Sequence, residues 1–141
     1  MYLLDTDHIS LLQHSSGSEF ARLSTRMGRY STNDFFFSVV SFHEQALGWN
    51  AFISNARDIA KILRGYRGLE DLIRQYSKPQ ILPYDQPAAT IFESLRNQRV
   101  RIGAFDLRIA AIALSRGLIV LSRNLTDFRQ VPQLHVEDWV Q

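Results

Sequence analysis

The chain has 141 residues, 45% of them hydrophobic, with no cysteine and a formal net charge of +2. Disulfides, thiolate nucleophiles and cysteine-bearing zinc sites are therefore excluded, and four scattered histidines leave little for zinc, so any metal here would be held by oxygen. The length suits one domain, 1–141, burying roughly two thirds of the surface its unfolded form exposes. Fourteen of the sixteen basic residues are arginine, the side chain suited to bidentate phosphate contact.

Met1-Tyr2-Leu3-Leu4 meets acid at Asp5, which argues against a signal peptide, and no apolar run approaches the ~20 residues of a membrane span. A cytoplasmic protein with no membrane association is expected. Tyr2-Leu3-Leu4 reads as a short strand, Asp5-Thr6-Asp7 interrupts it, and Ile9, Leu11 and Leu12 begin an amphipathic helix with Thr6 as its N-cap. Ser15-Ser16-Gly17-Ser18 breaks the chain, and Phe20 to Met27 reads as a second helix stopped by Gly28. Phe35 to Val40, aromatic and β-branched, predicts a buried strand. Ser41 follows, and His43, Glu44, Gln45, Ala46 and Leu47 open another helix.

From Ala51 to Tyr76 the apolar positions Ile59, Ile62, Leu63, Tyr66, Leu69, Leu72 and Ile73 fall at three- and four-residue steps, the pattern of one or two long helices or a helical hairpin. A buried core face explains that stripe at least as well as a contact with another protein. Lys78-Pro79 ends this region. Ile81-Leu82 makes a short strand closed by Pro83, and Asp85 with Pro87 caps a helix running through Gln98. The stretch from Ile102 to Phe128 is the most informative. Asp106 leads a helix whose Leu107, Ile109, Ala110, Ala111, Ala113 and Leu114 share a buried face, Gly117 ends it, and Leu118 to Leu121 is a strand buried on both sides. Strands alternating with helices imply an α/β fold with a central parallel sheet of four to five strands.

In a parallel sheet every strand's carboxyl end points to one edge, where ligands bind. Asp5, Glu44, Asp106 and Asp127 can therefore converge although far apart in sequence. Crowded carboxylates repel, and with no lysine near them a divalent cation resolves the repulsion: Mg2+, or Mn2+, hard ions that take oxygen ligands. Such an ion can activate water for attack on a phosphate, with no serine, cysteine or histidine nucleophile. Set those acids and Asp7 aside and nine acidic residues face sixteen basic ones, a surface suited to a polyanion. Thr6, Arg123 and Asn124 lie at the same edge and are the candidate substrate contacts.

Each acid also has a plainer role. Asp5 and Asp7 fit first-turn acids favoured by the helix dipole. Ser41-Phe42-His43-Glu44 fits a capping box in which Glu44 bonds the amide of Ser41. Asn124-Leu125-Thr126-Asp127 fits a polar turn. Asp106 is the hardest to explain this way, since a carboxylate between Phe105 and Leu107 is costly unless paired, solvated or metal-bound. His43 reads as a helix-start surface residue, and Phe128 and Trp139 as core.

Gly103-x-x-Asp106-x-x-Ile109-Ala110-Ala111, the strand after it, Ser122-Arg123-Asn124-x-x-Asp127-Phe128 and the ending Val136-x-Asp138-Trp139 resemble the C-terminal half of PIN-domain ribonucleases of the VapC toxin type. Leu3-Leu4-Asp5-Thr6-Asp7-x-Ile9-Ser10 is similar to that family's first motif and Ser41-x-x-Glu44-x-x-x-Gly48 to its second. The resemblance implies a PIN-like fold, Asp5 and Asp106 as principal magnesium ligands and Glu44 as the third acidic site residue. The fourth acidic position falls on Asn124 or Asp127, of which Asp127 is the acid here. Asp7 departs from the family, where asparagine is common. The resemblance further implies an RNA substrate, a cognate antitoxin and a homodimer.

Two rival readings remain. A strand ending in Asp5-x-Asp7 also begins the haloacid-dehalogenase-like phosphatases, with Lys78 as their lysine. A catalytically silent module of the same fold would bind RNA or a protein partner and cut nothing.

Overall fold

The structure, a computed structural model, describes residues 1–141. Its five strands are β1 (Tyr2–Leu4), β2 (Phe35–Ser38), β3 (Gln80–Leu82), β4 (Ile119–Leu121) and β5 (Val136–Glu137). They form one sheet in the order β3-β2-β1-β4-β5, and every neighbouring pair is parallel. Helices α1 (Thr6–His14), α2 (Gly17–Met27), α3 (Val39–Asn55), α4 (Ile59–Gln75), α5 (Gln86–Asn97), α6 (Ala104–Arg116) and the single turn α7 (Leu125–Phe128) flank it. This is the α/β architecture that the alternating pattern predicts. None of the helices is long and apolar enough to cross a membrane.

The register explains why each strand reads as a continuous apolar run. Leu3 lies beside Phe36 and Val120, and Leu4 beside Leu121. Successive side chains on a strand face opposite ways. Leu3 and Val120 thus join Phe92, Leu95, Ile109 and Ile112 from α5 and α6, whereas Leu4 and Leu121 join Ile9, Leu23, Phe37 and Trp139 on the other face. With both faces covered, no strand position is left to be polar until the strand ends.

Two helix starts differ from expectation, and capping chemistry is the reason. β2 stops at Ser38, whose hydroxyl accepts a hydrogen bond from the Ser41 amide at 3.1 Å, so Val39 and Val40 are the first turn of α3. Two β-branched residues that read as strand are overruled by the cap. The expected capping box between Ser41 and Glu44 is absent, and Glu44 lies in the second turn with its carboxylate free of that duty. At α1 the N-cap is Asp5 rather than Thr6: the Asp5 carboxylate accepts from the Thr6 amide at 2.8 Å.

The region from 51 to 76 is a hairpin, α3 against α4. The inward face of α4 is Gly65, Gly68 and Leu72, and the apolar residues Ile59, Leu63, Tyr66 and Ile73 are exposed by more than half. Of the stripe, Leu72 is core and Leu69 half-buried, while the rest is not the core face that its periodicity allows. Glycine is required at the interface instead, because large side chains of α3 occupy it: a Cβ on Gly68 would run into the Trp49 ring, and one on Gly65 into Ile53.

Gly48, also inside α3, has open space around the position of a Cβ. Gly68→Ala should therefore destabilise the protein by about 1–3 kcal/mol through overpacking, whereas Gly48→Ala should stabilise it by about 0.5–1 kcal/mol through helix propensity. Urea unfolding of the two variants checks both signs, and stabilisation by Gly68→Ala would contradict the close approach.

Candidate active site

The acids gather where the fold places the strand ends. Asp5 follows β1, and its backbone amide donates to the Leu121 carbonyl at 2.9 Å, so the end of β1 is tied to the end of β4. Asp5 is only 5% exposed as a residue, and its carboxylate accepts from the Ser122 hydroxyl at 2.8 Å as well as from Thr6. Asp7 accepts from the same hydroxyl at 3.2 Å, from the Arg123 amide at 3.0 Å and from His8 Nδ1 at 2.8 Å. Ser122, the first residue after β4, thus bridges two carboxylates.

On the other side of β4, Asp106 stands in the first turn of α6. Its carboxylate and that of Asp127 share one donor: Asn124 Nδ2 donates to Asp106 at 3.1 Å and to Asp127 at 2.9 Å. The Asn124 carbonyl oxygen accepts from the Asp127 amide at 3.4 Å, which caps the short α7. Glu44 projects from α3, half-buried, close enough for its charge to raise the pKa of Asp106.

The electrostatics follow from this crowding. Burial, with the charges of Asp7 and Asp106, pushes Asp5 up to about 7 against the hydrogen bonds from Ser122 and Thr6 that hold it down. Burial also raises Asp106, helped by Glu44, Asp127 and Asp7 and opposed by Asn124. Burial pushes Asp7 the same way, but the hydrogen bond and electrostatic attraction of His8, with the hydrogen bonds from Arg123 and Ser122, win and its pKa is lowered. No arginine or lysine side-chain nitrogen comes within 4.0 Å of the carboxylate oxygens of Asp5, Glu44, Asp106 or Asp127. Five acids thus share one rim with no arginine or lysine side chain to offset them, His8 beside Asp7 being the one basic partner, and no three of the acids stand close enough together, as the side chains lie, to hold a metal ion.

The other expected residues take varied places. Thr6 donates its hydroxyl to Ser41 at 3.1 Å, linking α1 to α3. The Arg123 guanidinium pairs with Glu19 of α2 at 2.8 Å, and its backbone, rather than its charge, reaches the rim. His43 is exposed, its ring edge-on to Phe105 at 5.2 Å. Phe128 and Trp139 are core at 0% and 2% exposed. Lys78 precedes β3 and so lies at the amino end of that strand, opposite the rim, which removes the lysine that a phosphatase would need.

Known proteins share this fold and parts of this sequence. No family model matches the chain. It is 37% identical over 67 residues to a tRNA(fMet)-specific endonuclease VapC of Salmonella typhimurium, an alignment covering 45% of this chain and 51% of the relative. It is 38% identical over 76 residues to ribonuclease VapC2 of Haemophilus influenzae, covering 51% and 55%. The chain spans about half the length of the curated relatives it matches. Its fold superposes on the crystal structure of FitAcB from Neisseria gonorrhoeae with a TM-score of 0.71 at 25% identity, covering 98% and 97% of the two chains. DNA-bound VapBC from Salmonella typhimurium gives 0.67 at 25% identity over the same coverage. The chain is homologous to the VapC toxins. These are PIN-domain proteins of type II toxin–antitoxin systems.

Two residues of this VapC homologue escape sequence reasoning. Ser122 had a signal, a hydroxyl placed directly after a buried strand at the ligand edge. His8 had none. It is fully buried, and its Nε2 accepts from the Trp139 amide at 3.3 Å, so Nδ1 carries the hydrogen that it donates to Asp7. Its partner lies 131 positions away in the chain.

The raised Asp5 sets a pH dependence with a definite sign. An acid whose folded pKa of about 7 exceeds its ordinary 3.8 takes up a proton on folding, so the metal-free native state loses stability as pH rises between those values. About three pKa units set an upper bound of about 4 kcal/mol, lost by about pH 8. Guanidinium unfolding in chelator should show the protein less stable at about pH 8 than at about pH 5, and Asp5→Asn should remove most of that difference. An unchanged pH slope in Asp5→Asn would show that the cost lies elsewhere.

Proposed function

We propose that this chain is a magnesium-dependent endoribonuclease that acts as the toxin of a toxin–antitoxin pair, cleaving RNA by hydrolysis. One observation carries the reading: five acids, Asp5 after β1 and the others on α1, α3, α6 and α7, stand at one rim with no arginine or lysine side chain to offset them, in a chain homologous to the VapC toxins. The names of the relatives, ribonuclease VapC2 and tRNA(fMet)-specific endonuclease VapC, support RNA as substrate.

The donor set fits a hard divalent cation. Every candidate ligand is a carboxylate oxygen, and two of them are held above their ordinary pKa by burial and by neighbouring acids, the condition that a bound cation relieves. Asp5, Asp106 and Glu44 would hold Mg2+ or Mn2+, with Asp127 as the fourth acid. Such an ion supplies Lewis acidity to water and to a phosphoryl oxygen. The chain's own residues do the positioning. Ser122 fixes Asp5 and Asp7 relative to each other, Asn124 fixes Asp106 relative to Asp127, and His8 turns Asp7 toward Ser122. Thr6 lies beside Asp5 and, with Asn124 and the Arg123 backbone, edges the floor on which a phosphate would rest.

A homodimer and an antitoxin partner belong to the same reading. A solved structure of the same fold, from Klebsiella pneumoniae, is a toxin–antitoxin complex. The exposed apolar face of α4, Ile59, Leu63, Tyr66 and Ile73, is a surface that a protein partner would cover.

Asp106→Asn and Asp5→Asn should each lower cleavage of a mixed transfer, ribosomal and messenger RNA substrate by about 100-fold or more, the scale on which loss of charge stabilisation acts. Both should stay folded, since the amide keeps an oxygen for the Thr6 or Asn124 contact while relieving acid crowding. Excess chelator should stop the wild-type protein and added Mg2+ should restore it. Full cleavage by either variant, or in chelator, would refute the assignment. RNA binding with no cleavage by the wild-type protein in Mg2+ or Mn2+ would favour the silent module.

A further inference from the structure

Beside the acidic rim lies a second concavity, in which none of the nuclease residues named so far except Asp127 takes part. It has a volume of about 1040 Å³ between α5 and the start of α6, and it reaches the rim through Asp127 and the Gly103–Ala104 backbone that leads into Asp106. Three arginines line it: Arg96, Arg101 and Arg108. Arg96 approaches Glu93 only at 4.0 Å, while Arg101 and Arg108 have no carboxylate within that distance. The guanidiniums of Arg96 and Arg108 lie 5.8 Å and 5.6 Å from the centre of the Phe92 ring, an apolar back wall that holds them in place.

Arg108, held against Phe92, and the exposed Arg101 are left without a carboxylate partner while Glu93 takes Arg96, so two guanidiniums in this cavity are free for an anion, and arginine suits the planar geometry of a phosphate. We infer that this cavity is a nucleotide subsite: Arg101 and Arg108 bind a backbone phosphate of single-stranded RNA one or two nucleotides from the bond cut at the rim. The inference rests on the nuclease reading. It adds the direction in which the strand runs, from Asp106 and Asp127 over Gly103 toward α5. A nucleic-acid strand is favoured over an acidic protein segment because the cavity opens onto the rim through Asp127 and Gly103, so a strand seated on the arginines continues to the place where a phosphodiester would be cut.

The probe is a 12-nucleotide single-stranded RNA, and every protein in the binding comparison also carries Asp5→Asn, so that the strand binds without being cut. Fluorescence anisotropy in Mg2+ compares Asp5→Asn alone, Arg101→Ala, the double variant Arg101→Ala/Arg108→Ala, the corresponding double lysine variant and Arg57→Ala, an exposed arginine on the α3–α4 turn. The double alanine variant should bind about tenfold or more weakly, and its log–log salt slope should fall by about 1.4, as expected when two arginines no longer neutralise phosphate charge on a single strand. Lysine should restore the slope and part of the affinity, Arg101→Ala should give about half the slope change, and Arg57→Ala should match Asp5→Asn alone. With Asp5 intact, the double alanine variant should raise KM and keep kcat within about threefold.

Affinity, slope and KM unchanged in Arg101→Ala and in the double variant, with cleavage intact, would overturn the subsite and leave the nuclease standing. A wild-type protein that cuts no RNA would instead overturn the reading beneath it. Because Arg101 is exposed and contacts no acid, its single variant keeps the test decisive even if the Arg108 change loosens the packing on Phe92. Binding of polyglutamate that disappears in the double variant, with RNA binding unaffected, would assign the cavity to an acidic protein partner and overturn the proposal.

Discussion

The hydrogen bond from the Asp5 amide to the Leu121 carbonyl is the constraint on which the rim depends. It continues the ladder between β1 and β4 one residue past the strand, so a buried carboxylate is delivered to the place where the sheet runs out of partners. The side chain cannot turn away, because it caps α1 through Thr6 and accepts from Ser122. A group held so firmly must carry its charge at that spot or surrender it to a proton. Burial, Asp7 and Asp106 make the second option competitive near neutrality.

The neighbouring acids are arranged by the same sharing of donors. Ser122 serves Asp5 and Asp7, and the Asn124 amide serves Asp106 and Asp127, so each pair of carboxylates is spaced by one neutral group lying between them. Neutral donors orient the oxygens but leave their charge intact, whereas an arginine in the same position would cancel it. The result is a site that destabilises its own fold in the absence of a counter-ion, a compromise commonly made where function requires concentrated charge.

Much of this is legible in the residues. Alternating apolar runs and helical periodicities define the parallel sheet, and a parallel sheet alone is enough to bring Asp5, Glu44, Asp106 and Asp127 to one edge. The ends of elements are not legible where side-chain caps overrule β-branched propensity, as at Ser38 before Val39 and Val40. The α3–α4 hairpin departs from expectation for a related reason. Periodicity locates an apolar stripe but not what it faces, and here the stripe of Ile59, Leu63 and Tyr66 faces outward while glycines meet Trp49 and Ile53. His8 leaves no trace in local sequence at all, since its role depends on Trp139 at the far end of the chain.

That last contact has a mechanical consequence. Trp139 is clasped by Tyr2, Tyr30 and Phe35 and overlaid by Arg26, and the Val140 carbonyl is gripped by Arg22, so the final residues are fastened to β1 and α2. Through His8 this anchored tail also aims Asp7. Residues 2–35 and 137–140 are thereby bolted to one another beneath the rim, and loosening Trp139 would leave Asp7 without the imidazole that aims it.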